Sequence, residues 1–419
     1  MRFPVFIFFA FFFVTPVISQ SVSLEECTQA AIDQFPVTRN LDIIKEKVKR
    51  QHDILSLNYL PGLALNALGN YQSDVVSFDL GVNIPGMTLP EVPHLQFRNT
   101  LDINQLIYDG GVNTALKELI SIQQMIQETE IENRQFQVRL MVEDIYMAVL
   151  LTKGQIPIFD LHIATLESGR DEIQKLVDEG VLIQSDLDLM DAKLLESNHL
   201  KHQALAKLDQ LLAQMSELTG LALDLNWIFE IPKPDIASKS IARGEILLLD
   251  RQKSLLEGNQ NLLLRVNYPK IGAFGQLGYG RPGLNFLSDQ WDSFFIAGIN
   301  FSWTFWDWKK SKKQRANLEL QSKMLNNEKD AFLMNLNLGL IEQKSAINSI
   351  NQSILKELDL IDIYDRILES SSHQLKEGVI TVNTYLQNLT ASKLSRQKLA
   401  NYKVQLIKAK QRLVTLTGN

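Results

Sequence analysis

Between Asp307 and Gly378 the chain contains no proline, and Gly339 is its single poor helix former there. Leu333, Leu340, Ile347, Ile354, Ile361, Leu368 and Leu375 recur at every seventh position. An apolar row held in a seven-residue register this long is the seam of a coiled coil, because 3.5 residues per turn keeps one stripe facing a partner. About 65 helical residues at 1.5 Å each span roughly 100 Å, far beyond the usual helix of about 11–12 residues. The remaining positions are rich in Gln, Asn, Lys and Glu, as solvated or water-lined faces require.

The seam is written twice. Stepping back 198 positions gives Gln135, Val142, Val149, Ile156, Ile163, Arg170 and Val177, apolar at five of the seven. Three further landmarks keep the same offset: Asp109 with Asp307, Gly180 with Gly378, and the Leu-Thr-Gly triplets ending at Gly220 and Gly418. Upstream, Asn58–Tyr71 resembles Asn267–Gly280, and Pro61 faces Pro269 at an offset of 208. The first copy therefore carries ten extra residues before its Asp, within a Gly- and Pro-rich stretch that reads as a long loop. Such a fixed period is the signature of one unit repeated.

Each copy reads helix, strand, strand, very long helix, turn, helix. In the first copy (20–220) the spacing predicts strands over about 59–71 and 97–108, a long helix over about 110–178 and a return helix over about 185–219. A linker follows over 221–240, with Pro232 and Pro234. In the second copy (241–419) the strands are expected over about 268–280 and 294–306, the long helix over about 308–376 and the return helix over about 383–417. Ser23 followed by Glu26 predicts a capping box opening the first helix. Gly154 and Pro157 predict a kink or restart in the first long helix. Gly220 and Gly418 are expected as helix stops.

The strands alternate strictly. Phe295, Ala297, Ile299, Phe301, Trp303 and Phe305 face one side, with Asn300, Ser302 and Thr304 on the other. Leu101, Ile103 and Ile107 oppose Asp102 and Asn104 in the first copy. An apolar face opposed to a small polar face over about ten residues is the pattern of a transmembrane barrel strand. Trp303, Trp306 and Trp308, with Tyr108 in the other copy, sit near where strand passes into helix, a natural membrane-interface girdle. Four strands are too few for a closed membrane barrel, which needs about eight or more, so a barrel must be shared between subunits. The competing reading is a periplasmic or secreted coiled-coil scaffold whose strands form an ordinary half-buried sheet.

Residues 1–19 read as a secretory signal peptide: Met1-Arg2, a run of about a dozen apolar residues, then Val17-Ile18-Ser19 before Gln20. No other segment reaches the roughly 18 uninterrupted apolar residues of a membrane-spanning helix. With one cysteine, Cys27, no intrachain disulfide and no cysteine zinc cluster can form. Cys27 lacks the small apolar residues that precede a lipid-attachment cysteine, and reads as a packing residue. A net charge of −6 argues against a nucleic-acid partner.

In this order and duplicated, the motifs resemble the TolC family of outer-membrane efflux and secretion channels. The resemblance rests on "SLEECTQAAIDQFP", "YLPGLAL", "NQLIYDGG", "DEGVLIQSDLDLMDAKL" and the two "LTG" closures, and covers nearly the whole chain after the signal peptide. The second copy departs in having Asp307-Trp308 for Asp-Gly and a degraded first helix. The resemblance implies a mainly α fold with a small β part, assembled as a homotrimer. Twelve strands would form one β-barrel in the cell outer membrane, continued by a helical coiled-coil tunnel in the periplasm. It implies an exit duct for a tripartite efflux or type I secretion system, passive and gated at the helical tips. Its partners would be a periplasmic adaptor (membrane fusion) protein, an inner-membrane pump and outer-membrane lipid.

The tips so implied are Gly180, Val181, Leu182, Ser185 and Asp186 in the first copy, and Gly378, Val379, Ile380, Thr384 and Gln387 in the second. In the best-known members of the family, carboxylates six and nine residues after the second-copy glycine ring the constriction and disfavour anions. Here Thr384 and Gln387 are neutral, so Asp186 is the remaining carboxylate expected near the pore, with helix capping as its alternative role. No catalytic constellation is present in the sequence, and no cofactor or metal is expected. "GAFGQLGYG" is glycine-rich but lies in a strand, where small residues relieve crowding beside aromatics. His199 and His202 read as a solvated helix face, not half a metal site. "WKKSKKQR" (308–315) reads as an interfacial basic run.

Overall fold

The computed structural model describes residues 20–76, 92–235 and 240–418, so the signal-peptide expectation and part of the first-copy loop lie outside the described residues. The elements run β1 (Ser21–Val22), α1 (Leu24–Gln34), a 3-10 turn (Pro36–Arg39), α2 (Asn40–Leu57), β2 (Gly62–Tyr71) and β3 (Leu95–Tyr108). Next come α3 (Val112–Asp178), α4 (Gln184–Thr219), β4 (Ile228–Phe229), α5 (Gly244–Val266), β5 (Lys270–Arg281) and β6 (Asp292–Ser302). The chain closes with α6 (Lys310–Lys376) and α7 (Val382–Leu416). Both long helices have 67 residues, and their seam residues are all at least partly buried.

The chain divides into two compact units, each drawing on both halves of the sequence. One comprises residues 1–38, 132–243 and 333–419. Its core gathers Cys27 and Ala31 of α1, Val142, Tyr146 and Val149 of α3, and Leu208, Leu212 and Met215 of α4. Ser23 caps α1 as expected: its hydroxyl accepts the Glu26 N–H while the Glu26 carboxylate accepts the Ser23 N–H at 2.8 Å. Cys27 is fully buried, and burial pushes its thiol up to about 11. The segment expected as a simple linker folds back instead. Ile228 and Phe229 pair in parallel with Ser21 and Val22, and the Tyr146 hydroxyl lies 2.8 Å from the carbonyls of both Val22 and Glu230.

The other unit comprises residues 39–131 and 244–332. It holds a four-stranded antiparallel sheet in the order β2-β3-β5-β6, with α2, α5 and the first turns of α3 and α6. Gly258 lets α5 lie against α3: a side chain there would meet Leu119 at 2.7 Å. Lys329 of α6 reaches Asp250 of α5 at 2.7 Å, and Arg251 of α5 reaches Thr129 of α3.

Two expectations change. Of the kink or restart expected at Gly154 and Pro157, the restart is absent: α3 runs as one helix through Pro157. The proline is exposed, while Ile156 is partly buried and Phe159 buried, so packing holds the turns on either side of the lost backbone bond. The strand expected to reach 306 stops at Ser302. Ser302 pairs with Lys270, and the next partner would be Pro269, which has no N–H to donate.

Candidate functional site: a two-faced sheet and two helical tips

The register of the sheet places Leu65, Leu101, Leu277 and Phe295 in one row across all four strands, on one face. Leu65 is 82% exposed and Phe295 75%. Ile299 and Phe301 extend this apolar face along β6, and Leu63 extends it along β2. On the opposite face the Asp102 carboxylate accepts from Gln276 Nε2 at 2.6 Å, Asn66 Nδ2 at 2.5 Å and Thr100 Oγ1 at 3.3 Å. Of the glycines expected to relieve crowding, Gly278 does so, with Phe294 lying over it; Gly298, outside that stretch, does the same for Phe274, which lies 2.7 Å from where its side chain would begin. β2 and β6 each have a partner on one side only among the described residues. Their outer edges therefore offer unpaired backbone groups.

The second strand of each copy, β3 or β6, passes into its long helix through the same joint. After β3, Asp109 Oδ1 accepts the Gly111 N–H at 2.8 Å and Oδ2 accepts the Asn113 N–H at 2.6 Å. Asn58 Nδ2 donates to Asn113 Oδ1 at 2.9 Å. After β6, Asp307 Oδ2 accepts the Ser311 N–H at 2.8 Å, and Asn267 Nδ2 donates to Ser311 Oγ at 2.6 Å. In both joints the two residues after the Asp are left-handed: Gly110 and Gly111 at φ 75° and 85°, Trp308 and Lys309 at φ 56° and 63°. Gly110 has a second reason to be glycine, since a side chain would sit 2.7 Å from Tyr268 Cβ. Trp308 and Lys309 hold a conformation that costs about 1–3 kcal/mol for such residues. Tyr108 ends β3, whereas Trp303, Trp306 and Trp308 lie beyond the end of β6, all exposed, with Trp306 edge-on to Trp308 at 5.7 Å.

At the tips both long helices end alike. The Gly180 N–H donates to Val177 O at 2.9 Å and the Val181 N–H to Leu176 O at 2.8 Å. The Gly378 N–H donates to Leu375 O at 3.0 Å and the Val379 N–H to Gln374 O at 2.8 Å. This paired closure needs a left-handed residue, and Gly180 and Gly378 have φ 79° and 67°. The return helices restart differently. Thr381 caps α7 through its hydroxyl, which accepts the Thr384 N–H at 3.2 Å and lies 3.0 Å from the Thr384 hydroxyl. At α4 the Asp186 carboxylate accepts the Ile183 N–H at 3.4 Å, a weak cap. Ser185 and Gln387 are exposed. Leu182 and Ile380 turn inward to a core of Leu166, Ile173, Met190, Val382, Tyr385 and Leu389, while Val181, Ile183 and Val379 stay outside. At the far ends of the return helices Gly220 and Gly418 are left-handed, at φ 71° and 83°.

Polar groups inside the helical unit were not singled out by sequence pattern. His162 is only 6% exposed, and its Nδ1 has no hydrogen-bond partner. Burial, then the charge of Lys393, pulls it down to about 4. It lines a cavity of about 190 Å³ with Ser392, Lys393, and the ion pair of Asp365 with Arg396. Glu143 is buried and accepts from Thr415 Oγ1 at 2.9 Å and Gln411 Nε2 at 3.2 Å; burial raises its carboxyl above the usual range. Glu357 is buried too, against the Ser395 hydroxyl at 2.6 Å. Each stands beside or near a seam residue, and that adjacency is the one signal that could have flagged them. His199 is exposed beside Gln203 at 2.9 Å.

No family model and no curated protein matches the chain. Solved structures do. CusC, described for its folding and transmembrane channel formation, matches at a TM-score of 0.72 and 12% identity, over 94% of this chain and 91% of its own. The outer membrane protein VceC of Vibrio cholerae matches at 0.69 and 12%, over 94% and 96%. The CmeC outer membrane channel of Campylobacter jejuni matches at 0.67 and 14%, over 94% and 85%. The chain therefore has the fold of TolC-like outer-membrane channels.

Proposed function

We propose that a chain with this channel fold serves as one subunit of a homotrimeric exit duct in the outer membrane. It would act passively, receiving cargo from an energised inner-membrane pump through a periplasmic adaptor. The observation that carries this is the sheet: one face carries an exposed apolar row across all four strands, the other holds the hydrogen-bonded Asp102, Asn66 and Gln276 beside Phe274 and Phe294, and both outer edges are unpaired among the described residues. Open edges and an exposed apolar face are costly in water, and both are resolved if three copies join twelve strands into a barrel with the apolar face toward lipid. A soluble scaffold leaves the Leu65–Leu101–Leu277–Phe295 row uncovered.

The chain is read as two copies of one unit, 20–220 and 241–419, joined over 221–240 and preceded by a signal peptide at 1–19. The matching joints at Asp109 and Asp307 and the matching closures at Gly180 and Gly378 support that reading. Tyr108, Trp303, Trp306 and Trp308 are placed at the membrane interface. Gly180, Val181, Leu182, Ser185 and Asp186, with Gly378, Val379, Ile380, Thr384 and Gln387, form the tips that meet the adaptor and the gate. Exposed Val181 and Val379 give an adaptor an apolar foothold. Thr384 and Gln387 bring no charge, so Asp186 is assigned the pore carboxylate.

Planar-bilayer recording of the detergent-extracted protein tests the reading, with trimer-sized particles and stepwise conductance expected. Release of the protein from membranes by carbonate washing would sink it. Unchanged ion selectivity in Asp186→Asn trimers would remove the Asp186 assignment alone. Co-purification with an inner-membrane partner identifies the pump, and with it whether the cargo is a small molecule, a metal ion or a protein.

A further inference from the structure

The joint after β6 carries chemistry that the joint after β3 lacks. Lys309, Lys310, Lys312, Lys313 and Arg315 fall within seven residues, and no carboxylate occurs from 308 to 318. The four lysines are exposed, and no ion pair involving any of the five occurs among the described residues. The Arg315 Nε is buried without a hydrogen-bond partner. The carboxylate just before the run, Asp307, is already engaged by the Ser311 N–H and by Asn267. The first joint has Gly110 and Gly111 there, and its nearest lysine, Lys117, is bound to Ser56 Oγ at 2.7 Å. A basic cluster is thus not needed to build the joint.

Immediately before the cations stand Trp303, Phe305, Trp306 and Trp308, all exposed, Trp308 by 83%. They follow Phe295, Ile299 and Phe301 of the apolar face in sequence, and Trp303 lies against Phe305 with ring centroids 6.0 Å apart. Apolar surface, then amphipathic indoles, then unpaired cations is the order in which a membrane changes from acyl chain to glycerol to phosphate.

We propose that Trp303–Arg315 binds the phosphate headgroups of anionic phospholipid at the leaflet edge where the apolar sheet face ends. This rests on the membrane reading of the sheet. The lysines supply the charge that an anionic headgroup complements, and the indoles set their depth. An acidic protein partner fits less well, because four exposed aromatic rings stand next to the charge in sequence.

The test uses the full-length protein in neutral detergent micelles doped with brominated phosphatidylglycerol or brominated phosphatidylcholine, read by tryptophan quenching. Quenching is expected at a mole fraction of phosphatidylglycerol about three- to tenfold below that of phosphatidylcholine, with the advantage shrinking in salt. K309Q/K310Q/K312Q/K313Q should bring the ratio to about one while leaving trimer assembly intact. Equal quenching by both lipids in the unaltered protein overturns the proposal and leaves the membrane reading standing. A preference that survives the four substitutions, or that soluble glycerol phosphate abolishes at equal concentration, also overturns it. Quenching by neither lipid removes the membrane reading and the lipid site together.

Discussion

The carboxylate of Asp109 accepts the backbone N–H of Asn113, four residues on, at 2.6 Å. Asp307 repeats the relationship with Ser311 at 2.8 Å. Each Asp fastens the start of a 67-residue helix to the strand that feeds it. Asp109→Ala and Asp307→Ala should each cost about 0.5–2 kcal/mol, the usual loss when a capping side chain is removed; Asp307→Asn keeps most of it, whereas Asp109→Asn loses one of the two acceptors in use. Denaturant titration of each variant measures the difference, and equal stability of the Ala and native proteins would contradict the capping role.

The left-handed glycines should divide into two classes. Gly180 and Gly378 have open space where a side chain would point, so alanine there costs only the backbone term, about 1–2 kcal/mol. Gly110→Ala adds a collision with Tyr268 Cβ at 2.7 Å and should cost more than either. Melting temperatures of the three variants give the order, with Gly110→Ala lowest.

His162 should make the helical unit sensitive to acid. Its folded value of about 4 lies below the ordinary 6.5, because burial disfavours the charged ring and Lys393 repels it. The unfolded chain therefore takes up a proton below about 6.5 that the folded chain refuses. The stability concerned is fully present above pH 6.5, is lost as pH falls toward 4, and falls no further below that. Lys193 and Glu196 on α4, Lys393 on α7 and the Asp365–Arg396 pair surround the ring and set the window. The loss amounts to at most roughly 3 kcal/mol per chain. His162→Gln should flatten the difference in unfolding midpoint between pH 7 and pH 4, and an unaltered difference would rule this group out.

Glu143 offers a paired test. Thr415→Val strips the 2.9 Å donor from a buried carboxylate, which should cost about 1–3 kcal/mol. Adding Glu143→Gln removes the stranded charge and should return part of that loss. A double-mutant cycle over the four proteins reads the coupling, and strict additivity would show that the two side chains do not act together.

Much of this was written in periodic signals. The seven-residue row and the offset of 198 placed both long helices within about two residues of α3 and α6, because a buried seam tolerates little else. The alternation in 294–306 found β6 but overran it, since side-chain pattern persists past Ser302 while backbone pairing stops opposite Pro269. His162 and Glu143 escaped because a single polar residue beside a seam looks the same whether it faces water or a neighbouring helix. The pairing of Ser21–Val22 with Ile228–Phe229 escaped because two residues carry no period at all.

That last pairing has a consequence for how the chain is made. The strand at Ser21 waits for a partner about two hundred residues later, so the start of the folded body closes only after α3 and α4 have been made. A polypeptide ended at Gly220 would leave Val22 without its ladder and the Tyr146 hydroxyl with one of its two carbonyls. The first half is therefore not a freestanding module. Its completion depends on the connecting segment: the first copy closes its own ladder only when the chain runs on through Glu230.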